Sequence, residues 1–195
     1  MKRLAAAIIV GVVTVAACPA AENTANSLSD EVAVYRALAE AKQISSRLKI
    51  LTNEEEGMAA LDDSNKNHFR KALRDAFGDK SSEALEDAFT KQGEEHALVL
   101  ALSKEPGWLL VDKSVLEGFR AGSDASTYWK RFYKKFPDSG GTVVVFRVGF
   151  NYAKDVAVVY VFQGYGSIGA EGSWYYLEHG RGKWTFIKKS VFMMA

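Results

Sequence analysis

The spacing of apolar residues changes near residue 140, and this change constrains the fold more than any other feature of the chain. Before it, apolar residues recur at positions typical of helices that pack on a core. After it, they alternate with polar residues or form runs rich in Val, Tyr, Trp and Phe, as in strands. The pattern predicts an α+β domain in which N-terminal helices precede a C-terminal antiparallel meander of about four strands. It also predicts that the helices cover one face of the sheet.

In the first part of the chain, the spacing predicts helices and a few short strands. The helices are expected at 29–48, 68–77, 82–89 and 128–136. A strand is expected at 48–52. The apolar runs 97–102 and 108–111 are too short to assign by periodicity, and we interpret both as strands because Pro106-Gly107 between them favours a turn.

In the second part, strands are predicted at 142–149, 155–163, 173–179 and 183–193, with turns at 151–154 and 180–182. The glycine-rich segment 164–172 is predicted to be a loop. Its first residues, GYGSIG, match the dinucleotide-binding pattern G-x-G-x-x-G. That pattern binds pyrophosphate only where a helix follows, and here a strand follows, so a hairpin loop is the better interpretation.

The first eighteen residues have the form of a secretory signal. Lys2 and Arg3 precede an apolar run at 4–17 that is shorter than a membrane span, and Val15-Ala16-Ala17-Cys18 resembles the lipobox of bacterial lipoproteins. The resemblance implies cleavage after Ala17, a diacylglycerol on Cys18, and a protein held in the bacterial cell envelope by acyl chains. The alternative is an ordinary signal that is cut after residue 20 or 21.

The sequence therefore predicts three segments: a signal peptide at 1–17, a lipidated cysteine and flexible tether at 18–27, and a single soluble α+β domain at 28–195. Its helical part covers 28–140 and its sheet part 141–195. Removal of Lys2 and Arg3 from the 25 basic residues leaves 23 against 24 acidic ones. This balance argues against nucleic acid as a partner. The membrane and other envelope proteins are the expected partners.

No motif for catalysis, a metal or a cofactor is found. His68, His96 and His179 fall in different predicted elements without ligand spacing, and we interpret them as surface side chains. Paired catalytic acids would have to converge in space, which a sequence does not reveal. We therefore predict no catalytic residues, no metal ligands and no cofactor.

Aromatic side chains provide the only candidate ligand contacts. Trp174 and Tyr176 share one face of a predicted strand, and Tyr165 lies in the glycine-rich segment. They could line a small apolar pocket, although such side chains more often build a core. The helix at 128–136 carries aromatic residues on one side and cations on the other. We favour packing of its aromatic side in the core over contact with a membrane.

Several stretches together resemble a family of uncharacterised bacterial exported proteins. They are EVAVY at 31–35, WKRFYKKFP at 129–137, RVGFN at 147–151, AVVYV at 157–161 and GKW at 182–184. Many members carry two cysteines in the loop after the second strand, where this chain has GYGSIG. Any role of those cysteines in the family therefore cannot be carried over to this chain. The resemblance implies the architecture and names no activity.

Three functions remain open from the sequence. The first is a non-catalytic binding or scaffolding domain, which the lack of a catalytic constellation favours. The second is a small-ligand binder that uses the sheet face and the 164–172 segment. The third is a hydrolase of envelope material, which requires two acids about 5–10 Å apart in a cleft.

Overall fold

A computed structural model describes residues 19–52, 63–122, 124–167 and 169–194. These residues form six α-helices and seven strands. The helices are α1 (Pro19–Glu40), α2 (Asp63–Phe77), α3 (Ser82–Thr90), α4 (Glu95–Leu102), α5 (Lys113–Arg120) and α6 (Ala125–Lys135). The strands are β1 (Leu48–Leu51), β2 (Trp108–Leu110), β3 (Ser139–Val145), β4 (Gly149–Phe150), β5 (Val156–Gly166), β6 (Gly169–Gly180) and β7 (Lys183–Met194).

The strands form one mixed, mostly antiparallel sheet in the order β2-β1-β3-β5-β6-β7, and β4 pairs with β5. β1 is parallel to both β2 and β3, and the other pairings are antiparallel. A mixed helix-and-sheet fold is therefore confirmed, but the predicted meander of four strands is an underestimate. The sequence predicts strands near β1 and β2 without placing them in the sheet, because parallel neighbours are joined through distant parts of the chain.

Helices cover both faces of the sheet, so the prediction of one covered face is wrong. α1 and α4 pack on the face that contains Val143 and Val159. α2 and α3 pack on the opposite face, which contains Val158 and Trp174. The first six residues of β5, VAVVYV, are all buried. A strand buried at consecutive positions needs cover on both sides.

α6 buries its aromatic side within the domain, as we favoured from the sequence. Phe132 is completely buried and packs with Ile50, Val111 and Leu116. The cations of α6 lie on its exposed side. The aromatic stripe of this helix is therefore part of the core.

The segment 97–102, which we predicted to be a strand, belongs to helix α4. Leu98, Val99 and Leu102 are buried, whereas Leu100 is exposed. This pattern is helical, because residues one turn apart share a face. A run of six apolar residues is too short for the two periods to be distinguished in the sequence.

The predicted strand at 142–149 is interrupted at residues 146–148, between β3 and β4. There the backbone bonds to side chains of α1. The hydroxyl of Tyr35 donates to the carbonyl oxygen of Phe146 and accepts from its N–H, at 2.8 and 2.9 Å. Glu31 accepts from the N–H of Val148 at 3.0 Å. Side chains from a helix therefore replace the neighbouring strand as hydrogen-bond partners.

The glycine-rich segment 164–172 is mostly a tight hairpin rather than a loop. Gln163 pairs with Glu171 and Gly164 with Ala170, so pairing continues almost to the tip. A Cβ at Gly172 would lie 1.9 Å from the hydroxyl oxygen of Tyr160, and a Cβ at Gly169 would lie 2.6 Å from the ring of Tyr165. These glycines let aromatic side chains lie across the strands.

α1 begins at Pro19, ten residues before the predicted start at Ser29, and it includes most of the residues predicted as a flexible tether. Proline is favoured in the first turn of a helix, and the following Ala-Ala-Glu are helix formers. Cys18 and the predicted signal peptide lie outside the described residues. None of the helices in the described part of the chain is long and apolar enough to cross a bilayer.

Candidate functional site

A cleft of about 480 Å³ lies between helices α5–α6 and the sheet. Its volume is in the range of small-molecule sites, roughly 300–1,000 Å³. We call it the hairpin cleft, because the β5–β6 hairpin forms one of its walls. It is lined by Thr52, Leu116, Arg120, Asp124, Ala125, Tyr128, Trp129, Thr142, Val144, Phe162, Gly164, Gly166, Gly169 and Ala170.

The aromatic wall of the hairpin cleft comes from the first turns of α6. The carboxylate of Asp124 caps this helix by accepting from the N–H of Thr127 at 2.7 Å. Trp129 packs edge-on against Tyr128, with 5.1 Å between ring centroids, and stacks on Tyr133 at 5.6 Å. The hydroxyl of Tyr133 donates to the carbonyl oxygen of Tyr165 at 2.8 Å, which ties α6 to the hairpin. These contacts hold the aromatic wall in a fixed position on the domain.

The floor of the hairpin cleft is partly bare backbone. Three of its lining residues are glycines of the hairpin, and Gly164 lies against the indole of Trp129. A Cβ at Gly164 would be 2.9 Å from the hydroxyl of Thr142. The glycines therefore keep side chains out of the space between the sheet and α6, and they leave peptide groups near it.

Thr52 contributes a buried hydroxyl to the cleft. The residue directly follows β1 and is 4 % exposed, and its N–H donates to the carbonyl oxygen of Val143 at 3.4 Å. Its Oγ1 has no hydrogen-bond partner among the residues that the structure describes. Burial of an unpaired hydroxyl costs about 1–3 kcal/mol in proteins. An unpaired polar group that lines a cleft is a candidate for ligand contact.

Thr52→Val is expected to raise the free energy of unfolding by about 1 kcal/mol, because valine fills the same space without a buried hydroxyl. Urea denaturation would measure the change. Thr185→Val is the matched control, since Thr185 is exposed on β7, and its effect should stay within about 0.5 kcal/mol. A loss of stability in Thr52→Val would contradict the account by showing that the hydroxyl is satisfied.

Charged side chains of both signs line the hairpin cleft. The guanidinium of Arg120 lies over the ring of Tyr128, 5.8 Å from its centroid. Hydrogen bonds from Thr127 lower the pKa of the Asp124 carboxyl, and nearby Lys130 lowers it further, so Asp124 stays ionised at neutral pH. Among the described lining residues, one cation and one anion are present, so neither sign is in excess there.

The three residues predicted as ligand contacts are not brought together. Trp174 is completely buried and Tyr176 is 5 % exposed, and both pack in the core under α2 and α3. Tyr165 lies near the tip of the hairpin and is 45 % exposed. Trp174 and Tyr176 are absent from the lining of the hairpin cleft, and Tyr165 contributes its backbone to the bond with Tyr133.

Outside the 164–172 segment, the residues that line the cleft were missed as site residues or assigned to another role. Trp129 is interpreted from the sequence as core, and Thr52 only as the end of a strand. The available signal was a polar residue that ends the predicted short strand at 48–52. A polar residue at the carboxyl end of a parallel strand is a common position for ligand contacts.

A second cleft, of about 610 Å³, surrounds the β4–β5 turn at the other end of β5. We call it the turn cleft. Three carboxylates of α3 line it: Glu83, Glu86 and Asp87. Asp87 accepts from Lys91 and from the N–H of Phe150. Arg70 binds Glu86 at 2.6 and 2.8 Å and holds the pKa of this carboxyl below its usual range. A general acid needs a raised pKa, so Glu86 is unsuited to that role.

The described residues contain no cluster of three or more His, Cys, Asp or Glu side chains arranged to hold a metal ion. All three histidines are exposed, as predicted. Comparison with known proteins gives no match to a family model, to a curated protein or to a solved structure. The site must therefore be interpreted from its own chemistry.

Proposed function

We propose that this protein is a lipid-anchored protein of the bacterial cell envelope whose α+β domain binds a small ligand in the hairpin cleft. The observation that carries the proposal is a cleft of suitable size with an aromatic wall, lined by Thr52, whose buried hydroxyl has no partner among the described residues. The lipobox at residues 15–18 supports the anchor. The resemblance to exported bacterial proteins is part of the same proposal.

The direction of α1 supports a cleft that faces away from the membrane. Midway along it, Asp30 accepts from Lys154 in the β4–β5 turn at 2.9 Å. Just after its end, the carbonyl oxygen of Gln43 accepts from Gln163, close to the hairpin. A helix of 22 residues is about 33 Å long. With the lipid on Cys18, α1 acts as a spacer between the bilayer and the end of the sheet that carries the hairpin cleft.

The hydrogen bonds and ionisation of the candidate acids favour binding over catalysis. In the turn cleft, Arg70 binds Glu86, Lys91 and the N–H of Phe150 bind Asp87, and Glu83 accepts from the N–H of Tyr152 at 3.3 Å. In the hairpin cleft, Asp124 is held in its ionised form as a helix cap. A hydrolase of the retaining or inverting type needs one protonated acid beside one ionised acid. Neither cleft supplies that pair from its described residues.

A thermal-unfolding screen with a library of water-soluble metabolites tests the proposal. A ligand at 100 times its Kd stabilises the folded state by about 2.7 kcal/mol, which is easily seen as a rise in Tm. Compounds that raise the Tm of the wild type are expected to have a smaller effect on Thr52→Val.

Two variants serve as controls in this screen. Thr185→Val is the matched exchange outside the cleft, and Tyr152→Ala removes an exposed side chain of the turn cleft. Both should respond to ligand as the wild type does. An equal response of Thr52→Val and the wild type to every active compound would place binding elsewhere. A selective loss in Tyr152→Ala would assign it to the turn cleft.

A further inference from the structure

We infer that the ligand of the hairpin cleft is a neutral saccharide, one ring of which packs on the aromatic wall of α6. The inference rests on the proposed function and names the class of ligand. A sugar ring has one apolar face of C–H groups and a rim of hydroxyls. The hairpin cleft offers a matching arrangement, with aromatic faces on α6 and polar groups around them.

The apolar face of a sugar matches Trp129 and Tyr128. Both rings line the cleft, and the edge-on contact between them holds them in place. Phe162 adds a third apolar side chain from the sheet. Flat apolar surfaces that are already held in place lose little conformational entropy on binding.

The hydroxyl rim of a sugar matches the polar groups of the cleft. The hydroxyl of Thr52 lacks a partner among the described residues and can both donate and accept. Thr142 bonds to the carbonyl oxygen of Gly164 only at 3.5 Å, so its hydroxyl is weakly engaged. The guanidinium of Arg120 donates and the carboxylate of Asp124 accepts, which suits hydroxyls that do both.

The same lining disfavours the two main alternative ligands. A phosphate or other anionic ligand needs an excess of donors or cations, and among the described lining residues Arg120 is balanced by Asp124. An acyl chain would remove both charged groups and the Thr52 hydroxyl from water without offering hydrogen bonds. A neutral ligand rich in hydroxyls avoids both penalties.

The test uses saturation-transfer NMR and isothermal titration with three probes on the folded protein. The probes are N,N′-diacetylchitobiose as the neutral disaccharide, a glucuronic acid disaccharide as the anionic one, and sodium octanoate as the acyl compound. We expect the neutral disaccharide to bind and Thr52→Val to weaken it about tenfold, the equivalent of one hydrogen bond. Thr185→Val should bind as the wild type does. Folding of Thr52→Val is not in doubt, because the exchange removes a buried unpaired hydroxyl.

Each other outcome has a defined meaning. Binding of the anionic disaccharide or of octanoate in place of the neutral one, with the same loss in Thr52→Val, overturns the saccharide inference and leaves the proposed function standing. Binding of the neutral disaccharide that Thr52→Val leaves unchanged also overturns the inference, because the sugar is then held elsewhere. If no probe binds, the saccharide inference is overturned. If the metabolite screen also gives no active compound, the proposed function is contradicted as well.

Discussion

Replacement of Glu31 by alanine is expected to lower the free energy of unfolding by about 3–5 kcal/mol, the largest effect of any single side chain discussed here. Glu31 is completely buried and accepts from Arg147 Nη2 at 2.7 Å and from Arg147 Nε at 2.8 Å. It also accepts from the N–H of Val148. Without the carboxylate, a guanidinium whose residue is 8 % exposed loses its main partner.

The expected loss comes from the charge left behind rather than from the strength of the pair. Removal of one partner of a buried ion pair is strongly destabilising, whereas exchange of both for apolar residues is often neutral. The double variant Glu31→Leu with Arg147→Met should therefore recover much of the stability lost by Glu31→Ala. The stability will not be recovered completely, because the N–H of Val148 also loses its acceptor.

Urea denaturation would measure these changes, and the chain offers a matched control. Arg36 and Glu105 form an ion pair at 2.9 Å on the surface, where the side chain of Arg36 is 55 % exposed. Glu105→Ala should change stability by about 1 kcal/mol or less. Equal effects of Glu31→Ala and Glu105→Ala would show that the buried network contributes no more than a surface pair.

Replacement of Cys18 by alanine is expected to move the protein from the membrane fraction to the soluble fraction. Each buried methylene of an acyl chain contributes about 0.8 kcal/mol, so two or more chains hold a protein at the bilayer essentially permanently. Cys18 is the only cysteine in the chain, and alanine there leaves no site for a thioether-linked lipid.

Membrane fractionation with intact-mass measurement would test this expectation in a bacterial host. The wild type should begin at Cys18 and carry the additional mass of the acyl chains. Pro19→Ala is the control, since it changes the neighbouring residue and keeps the acceptor thiol. An unmodified soluble wild type that begins after residue 20 or 21 would contradict the anchor and indicate an ordinary signal peptide.

Much of the fold was predictable because its elements have clear periodicity. The helical spacing at 82–89 and 128–136 corresponds to α3 and α6. The apolar runs and alternating residues after residue 150 correspond to β5–β7. The two-residue turn Arg181–Gly182 has positive φ at both positions, which suits the hairpin predicted there. These features depend on residues that are close in the sequence.

The errors arise where distant residues decide the structure. Tyr35 and Glu31 divert the backbone at 146–148 from more than 100 positions away, so the break between β3 and β4 leaves no local signal. The parallel pairing of β1 with β3 joins segments about 90 residues apart. The one signal in the sequence for helices on both faces was the continuous apolar run VAVVYV in β5.

The predicted ligand site overlaps with the hairpin cleft in only part of its residues, and ligand binding there stays a prediction. The sheet face and the 164–172 segment do form part of the hairpin cleft. The aromatic side chains that line the cleft come from α6. Their spacing along the helix is that of core residues, so the sequence alone does not show that some of them also line a cleft. Thr52 became a site residue only when the fold placed it beside a cleft, with a buried hydroxyl that lacks a partner among the described residues.

The most direct test of ligand binding in the hairpin cleft is the indole region of a ¹H–¹⁵N correlation spectrum. The chain has four tryptophans. Of these, Trp129 lines the hairpin cleft, Trp108 and Trp174 are buried in the core, and Trp184 lies beside Phe150. During titration with the most active compound of the metabolite screen, or with N,N′-diacetylchitobiose, the Trp129 signal should shift and the other three should stay in place. A shift confined to Trp184, or no shift under saturating ligand, would contradict the assignment of the hairpin cleft as the binding site.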